Sequence, residues 1–289
     1  MNHSQLRAFH AVATEGSFTG AAHALRVSQP TLSAHVRLLE EGYGVDLFER
    51  RGRSIQLTEF GRSLKEITNR YFSVEQEAET LLLGARDRLR GRLQVAADSP
   101  FYMITLLAAY ARRYPDVRQI LTFGNSETVL KRVMNGSCDV GFFAELRGDD
   151  NVYARPISRD RLVAIVSKEH ALAGIRQIGL SELQTETVLL RERGSMTRTI
   201  LEAELERQGI VLRLTMEMGS REAVREAAAG GLGVGVMNSG ETGEDGRLLQ
   251  IAIEGDGLEL TEYIACLKTR TSTPQVAALM DMAEAMKPG

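Results

Sequence analysis

From Thr58 to about Leu89 the chain runs without proline, and its only glycines there are Gly61 and Gly84. Within that run Leu64, Ile67, Tyr71, Val74, Ala78, Leu81 and Ala85 step by 3, 4, 3, 4, 3 and 4. A seven-residue repeat with two apolar positions makes a narrow seam on one long helix, the pattern of a coiled coil rather than the broader stripe of a globular helix. Such a helix divides the chain, and the parts before and after it must each close a core of their own. Two partners suit the seam: a second copy of the chain, or the helix's own flanking domain.

Ahead of the helix, Leu6, Phe9, Val12 and Ala13 recur at helical spacing, and Gly16 ends that helix before Ser17 caps a second one, Phe18 to Arg26. A third follows in VSQPTLSAHVRLLEE, where Leu32, Val36 and Leu39 form an inner face expected against Ala22, Leu25 and Phe9. Two short extended runs, Val45–Phe48 and Ser54–Leu57, flank Glu49–Arg53, a turn with a basic tip. Three helices and a basic hairpin make a winged helix-turn-helix.

In that arrangement the opening turn of the second helix of the motif meets base edges. Ser28 is the expected N-cap, and Pro30 is tolerated because its missing N–H had no intrahelical partner. Gln29, Thr31 and Ser33 are then free for bases, since an amide pairs with adenine and a threonine methyl meets thymine's. Arg37, Arg50, Arg51 and Arg53 suit phosphates. Residues 1–65 carry eight Lys and Arg against six Asp and Glu, although the whole chain of 289 has formal charge −3. Basic charge is therefore gathered where this motif lies.

After the helix, RLQVAA, PFYMITLLAAYARR, VRQILTF, SETVLKRVMNG and CDVGFFA alternate strand with helix, which implies a parallel sheet. The order repeats through TVLLR, a helix after Gly194, LRLTMEM, REAVREAAAG and LGVGVM. Two α/β units imply two lobes with a cleft between them. A last helix, Pro274 to Met286, is expected to return to the first lobe.

At this point the sequence resembles the LysR-type transcriptional regulators over its full length, most specifically in LRAFHAVATEGSFTGAAHALRVSQPTLSAHVRLLEEGYGVDLFERRGRSIQLTEFG. The resemblance implies an all-α winged helix-turn-helix domain (1–58), a linker helix (59–90), and an α/β, two-lobed effector domain like a type 2 periplasmic binding protein (91–289). Its first lobe would take about 91–162 and 266–289, its second about 163–265. It also implies a double-stranded DNA operator, RNA polymerase as a partner, and dimers paired into homotetramers. Many relatives carry an arginine in the recognition helix where this chain has Ala34, followed by His35, which is a candidate substitute contact.

The resemblance places the effector between the lobes. Matching positions are Asp98, Ser99, Pro100, Phe101 and Tyr102; Gly124, Asn125 and Ser126; Phe143, Ala144 and Glu145; Gly194, Ser195, Met196, Thr197 and Arg198; and Gly219, Ser220 and Arg221. GNSE, GSMTR and GSRE each open a helix with glycine and hydroxyl residues, so three helix N-termini facing one cleft predict a small anion. Each serine equally suits an ordinary N-cap. Asp98 and Glu145 add carboxylates for an ammonium group, so an amino acid or an aminophosphonate meets both demands. NSETVL and GSREAVREAAAGGLGVGV are similar to a subgroup associated with 2-aminoethylphosphonate catabolism.

Enzymatic readings find little support, and no cofactor or metal is expected. Gly231-Leu232-Gly233-Val234-Gly235 follows a helix and enters a strand, the reverse of a dinucleotide loop. Ser195 lacks the glycine frame of a nucleophile elbow. Cys138 and Cys266 lack metal spacing and read as reduced core residues. No apolar run approaches the ~20 residues of a membrane span, and MNHSQLRAF lacks the order of a secretion signal; a cytoplasmic protein is expected. Two other readings share parts of this architecture, a stand-alone solute-binding module and a ligand-independent DNA-architectural protein.

Overall fold

The computed structural model describes residues 1–51, 54–84, 89–144 and 149–285. The chain divides into two compact units, Met1–Leu82 and the region that begins at Leu83. Among the described residues no helix is long and apolar enough to cross a membrane.

The first unit opens with α1 (His3–Glu15), α2 (Phe18–Leu25) and α3 (Gln29–Tyr43). Asn2 and Gln5 form a capping box on α1, and Gly16 closes it with φ +67°. Ser17 accepts from the Gly20 N–H at 3.1 Å to start α2, which ends at Leu25 because Arg26 turns left-handed. Leu32 and Val36 are buried with Val12, Ala21 and Ala22, with Leu25 alongside. Leu39 packs with Phe9 and Leu47. Each such side chain removed from water stabilises by about 1.5–3 kcal/mol.

The hairpin differs from the expectation. β1 covers Phe48–Arg51 and β2 Ser54–Leu57, with Phe48 opposite Leu57 and Arg51 opposite Ser54. Residues 45–47 stay out of the strand because the Glu40 carboxylate accepts the Leu47 N–H at 2.8 Å and the Phe48 N–H at 3.3 Å, tying them to α3. Arg50 and Arg51 are thus strand residues rather than turn residues; positions 52 and 53 lie outside the described residues.

α4 (Glu59–Gly84) is the expected long helix. Two of its faces have different fates. Lys65 donates to the Ala13 carbonyl at 2.7 Å, Thr68 meets His10 at 3.1 Å, and Glu75 meets His3 at 2.8 Å. This face, stepping 3, 4, 3 through Phe72, lies on the helix's own domain, and burial lowers the Lys65 pKa. Of the heptad seam, Leu64 packs against the core of its own domain, whereas Ile67, Tyr71 and Val74 remain 52%, 46% and 62% exposed; Leu81's side chain and Ala85 lie outside the described residues.

In the second unit, β3 (Gly91–Ala97), α5 (Pro100–Arg113), β4 (Val117–Phe123), α6 (Ser126–Met134) and β5 (Val140–Ala144) build a parallel core, with β3 between β4 and β5. β6 (Val152–Ser167) is a 16-residue strand that no sequence pattern announced. There follow β7 (Gln177–Ile178), β8 (Thr187–Arg191), α7 (Met196–Arg207), β9 (Leu214–Met218), α8 (Arg221–Ala229), β10 (Val234–Asn238), β11 (Leu248–Ile253), β12 (Glu259–Leu267) and α9 (Pro274–Ala285). The sheet order is β4-β3-β5-β12-β6-β10-β8-β9, with β11 joining β6 to β7.

Two lobes share β6. Its first part pairs with β12 from Val152 to Arg161, and its second part pairs with β10 and β11 from Leu162 onward. The return to the first lobe comes at Glu259 rather than 266, because Glu262–Ala265 pair with Ala144–Gly141 of β5. α9 packs Val276, Leu279 and Met280 against Leu93, Val95 and Cys266 of that lobe, and Cys138 and Cys266 are buried free thiols. Gly233, at φ +153°, lets β10 begin against β8: a Cβ there would lie 2.1 Å from the Thr187 carbonyl oxygen. That glycine run is a packing device.

Candidate functional site

On α3, Ser28 Oγ accepts from the Thr31 N–H at 3.2 Å and meets the Thr31 hydroxyl at 2.7 Å. Ser28 is therefore the cap, and Thr31 holds its hydroxyl inward toward it. Gln29, Pro30 and Thr31 are exposed and Ser33 half-buried. Steps of four residues nearly complete a helical turn, so Gln29, Ser33 and Arg37 form one row, Pro30, Ala34 and Leu38 the next, and Thr31 and His35 a third. Ala34 is exposed in the middle row and His35 is half-buried at its flank. Arg37 pairs with Glu41 at 3.3 Å in the open. The side chains of Arg50 and Arg51, and all of Arg53, lie outside the described residues.

In the second unit a buried pocket is lined by Asp98, Asn125, Ser126, Arg191, Ser195, Met196, Thr197, Arg221, Asn238, Glu241 and Glu262, among others. Its free volume of about 10 Å³ holds roughly one water-sized group. Asp98, Asn125, Arg191 and Arg221 also line an adjoining cleft of about 640 Å³, with Gly219 and Ser220. Asp98 stands just after β3, and its Oδ2 accepts from the Ser126 hydroxyl at 2.5 Å and the Ala144 N–H at 3.0 Å. Arg221, at the start of α8, pairs with Glu241 at 2.5 Å and donates to the Asp98 carbonyl at 2.6 Å. Arg191, at the end of β8, is held by both oxygens of Glu192 at 2.8 Å.

Three carboxyl oxygens in this pocket have no hydrogen-bond partner among the described residues: Asp98 Oδ1, Glu241 Oε1 and Glu262 Oε2. Burial raises the pKa of all three acids, most strongly that of Glu262, where Asp98 and Glu241 add like-charge repulsion. Burial also opposes the charge of Arg221, but Glu241 and Asp98 outweigh it and hold its pKa up. Three acids thus share the pocket with two arginines, and of the three only Glu241 has a direct ion pair among the described residues.

The three helix starts are not equivalent. Asn125 Oδ1 accepts from the Thr128 N–H at 3.0 Å, so Asn125 caps α6 and Ser126 is left to bind Asp98. Ser220 caps α8 through the Ala223 N–H at 3.1 Å. Ser195 is buried at the N-cap of α7 yet makes no side-chain cap bond, so its hydroxyl and that of Thr197 face the pocket. The lobes approach closely here, where Asn125 donates to the Arg193 carbonyl at 3.0 Å and Gly194 has φ +89°. A Cβ on Gly194 would sit 2.8 Å from a Glu127 oxygen.

Several expected site residues stand elsewhere. Phe143 is fully buried with Val129, Val133 and Ala265, because β5 is a central strand covered on both faces. Arg198 is taken by Glu202 at 2.7 Å and Glu217 at 2.6 Å. Tyr102 donates to Asp160 at 3.0 Å and accepts from Asn238 at 2.8 Å, and Phe101 is 39% exposed. Ser99 caps α5 through the Phe101 N–H at 3.3 Å but stays at the pocket, where its side chain bonds Glu241. Glu145 lies outside the described residues. Arg191, Glu241 and Glu262 were missed. Glu262 had one signal: Leu260, Glu262 and Ile264 alternate on the inward face of β12, so a charge was due in the interior.

Comparison with known proteins matches residues 3–62 to the bacterial regulatory helix-turn-helix protein, lysR family, and residues 86–287 to the LysR substrate binding domain. The chain is 32% identical to a RuBisCO operon transcriptional regulator of Allochromatium vinosum, over 96% of this chain and 93% of that one. Its fold is similar to that of CbnR complexed with its target DNA, with TM-score 0.71 and 22% identity over 99% of this chain and 100% of that one. It is also similar to the regulatory domain of Synechocystis CcmR in complex with 2-PG, with TM-score 0.62 and 26% identity over 68% of this chain and 98% of that one.

Proposed function

Because the chain belongs to the LysR family of DNA-binding transcriptional regulators, with a small-molecule effector domain rather than an enzyme's active site, we propose that its effector is a small zwitterion, an aminophosphonate such as 2-aminoethylphosphonate. One observation carries this: three buried carboxyl oxygens without donors share a pocket with Arg191 and the open start of α7. The ammonium goes to Asp98, Glu241 and Glu262. The phosphonate goes to Arg191, which the small pocket shares with the adjoining cleft of about 640 Å³, beside Ser195 and Thr197 at the start of α7, where a guanidinium and a helix N-terminus favour negative charge. The similar regulatory domain of CcmR has a structure in complex with 2-PG.

Binding between lobes that share β6 shifts the population toward a closed form, and dimers or tetramers joined through the α4 seam carry that shift to the operator and to RNA polymerase in the cytoplasm. In thermal unfolding, 2-aminoethylphosphonate at a hundredfold its Kd raises the midpoint by roughly 5–10 °C. Ethylphosphonate, without the amine, gives a much smaller rise. A rise with 2-PG and none with 2-aminoethylphosphonate contradicts the zwitterion and favours a purely anionic effector.

On DNA, Gln29, Thr31 and Ser33 read bases, Arg37, Arg50, Arg51 and Arg53 neutralise phosphates, and Ala34 replaces a charged contact with a methyl that suits thymine, flanked by His35. Ser28 and Pro30 set the helix start. Gln29→Ala weakens binding to a duplex selected from a random pool by about 1–3 kcal/mol while leaving random DNA unaffected. An equal loss on both, measured by fluorescence anisotropy, excludes base reading by Gln29.

A further inference from the structure

The acidic end of the pocket has more carboxyls than cations to neutralise them. Asp98 comes from the turn after β3, Glu241 from the turn after β10 and Glu262 from β12. Arg191 pairs with Glu192 through Nε and Nη2, and Arg221 pairs with Glu241. Asp98 retains two donors at one oxygen, whereas Glu262, 2% exposed, has no ion-pair partner among the described residues and one oxygen with no donor. The titratable and charged groups around Glu262 include the acids Asp98, Glu241 and Asp160, the Tyr102 phenol, and Arg221, with Arg191 lining the same pocket.

We propose that Glu262 is the specificity-determining residue of this pocket: it holds a proton in the ligand-free protein and releases it when a primary ammonium group enters among Asp98, Glu241 and Glu262. The inference rests on the zwitterion reading and adds the chemistry by which the pocket selects the amine. The Glu262 O–H bond breaks, the proton passes to buffer, and the electron pair stays on a carboxylate that accepts an N–H of the ligand. One positive charge replaces another, so the pocket's net charge is conserved. A ligand lacking the amine brings nothing to exchange for that proton. The water-sized free volume suits an ammonium head.

Two measurements on the full chain test this. Infrared spectra at neutral pH, without ligand, show a protonated-carboxyl C=O band in the wild type that Glu262→Gln removes; identical spectra overturn the proposal whatever the effector is. The substitution is isosteric with the protonated acid, and circular dichroism checks its fold. Calorimetry with 2-aminoethylphosphonate in phosphate and in Tris at one pH then gives enthalpies differing by about one proton's buffer ionisation, with affinity rising up to about tenfold per pH unit while Glu262 is protonated. Glu262→Gln abolishes both effects. Equal enthalpies in wild type overturn the exchange and leave the zwitterion reading standing. Absence of binding beside an intact infrared difference overturns the effector reading and the exchange together, and leaves the proton's seat on Glu262.

Discussion

Arg221→Met lowers stability by about 3–5 kcal/mol, the cost of leaving a buried charge without its partner. Arg221 is 7% exposed and Glu241 1%. Without the guanidinium, burial and the nearby Asp98 charge act on the Glu241 carboxyl, whose pKa is already raised, with only the Ser99 hydrogen bond opposing them. Its folded-state pKa then lies further above its unfolded value, so the folded form keeps a proton that the unfolded form has lost, and stability falls as pH rises between the two values. The deficit is therefore larger near about pH 8 than near about pH 5. Urea unfolding at the two pH values checks this, and Arg221→Met with Glu241→Gln recovers part of the loss. An equal deficit at both pH values means that the Arg221–Glu241 pair does not carry the energy assigned to it.

Val74→Asp in α4 is the second large effect. Val74 and Ile67 are exposed beside the face that contacts α1, with Tyr71 at the border against His3. In a symmetric pair each removed side chain counts twice, at about 1.5–3 kcal/mol apiece, so the dissociation constant rises by roughly 10²–10⁴. Sedimentation then shows monomers at concentrations where the wild type is associated. A variant that stays associated places self-association elsewhere. Of the two partners that the heptad pattern left open, the helix's own domain takes Lys65, Thr68, Phe72 and Glu75, while Ile67 and Val74 stay exposed and are proposed for a second copy.

What the sequence made legible was local. Gly16, Ser17, Ser28 and the spacing of Leu32, Val36 and Leu39 carry their signals within a few residues, and the structure places them as those signals required. β6 escaped because its outer half serves one sheet and its inner half another, so VYARPISRDRLVAIVS shows no single alternation. Asp98 was legible from its place after a strand, but its companions were not. Glu241 and Glu262 reach it from positions 143 and 164 residues on, a pairing that only the sheet order creates. Phe143 misled for the opposite reason: the resemblance put its position beside the cleft, while β5 is covered on both faces. Of the three serine turns, composition made them look alike, and only the hydrogen bonds separate the capped starts of α6 and α8 from the open start of α7.

The most direct test is a crystal structure of the full chain with 2-aminoethylphosphonate. The nitrogen is expected within hydrogen-bonding distance of Asp98 Oδ1, Glu241 Oε1 and Glu262 Oε2, and the phosphonate on Arg191, Ser195 and Thr197. A ligand bound in the reverse direction, or outside this pocket, contradicts the account.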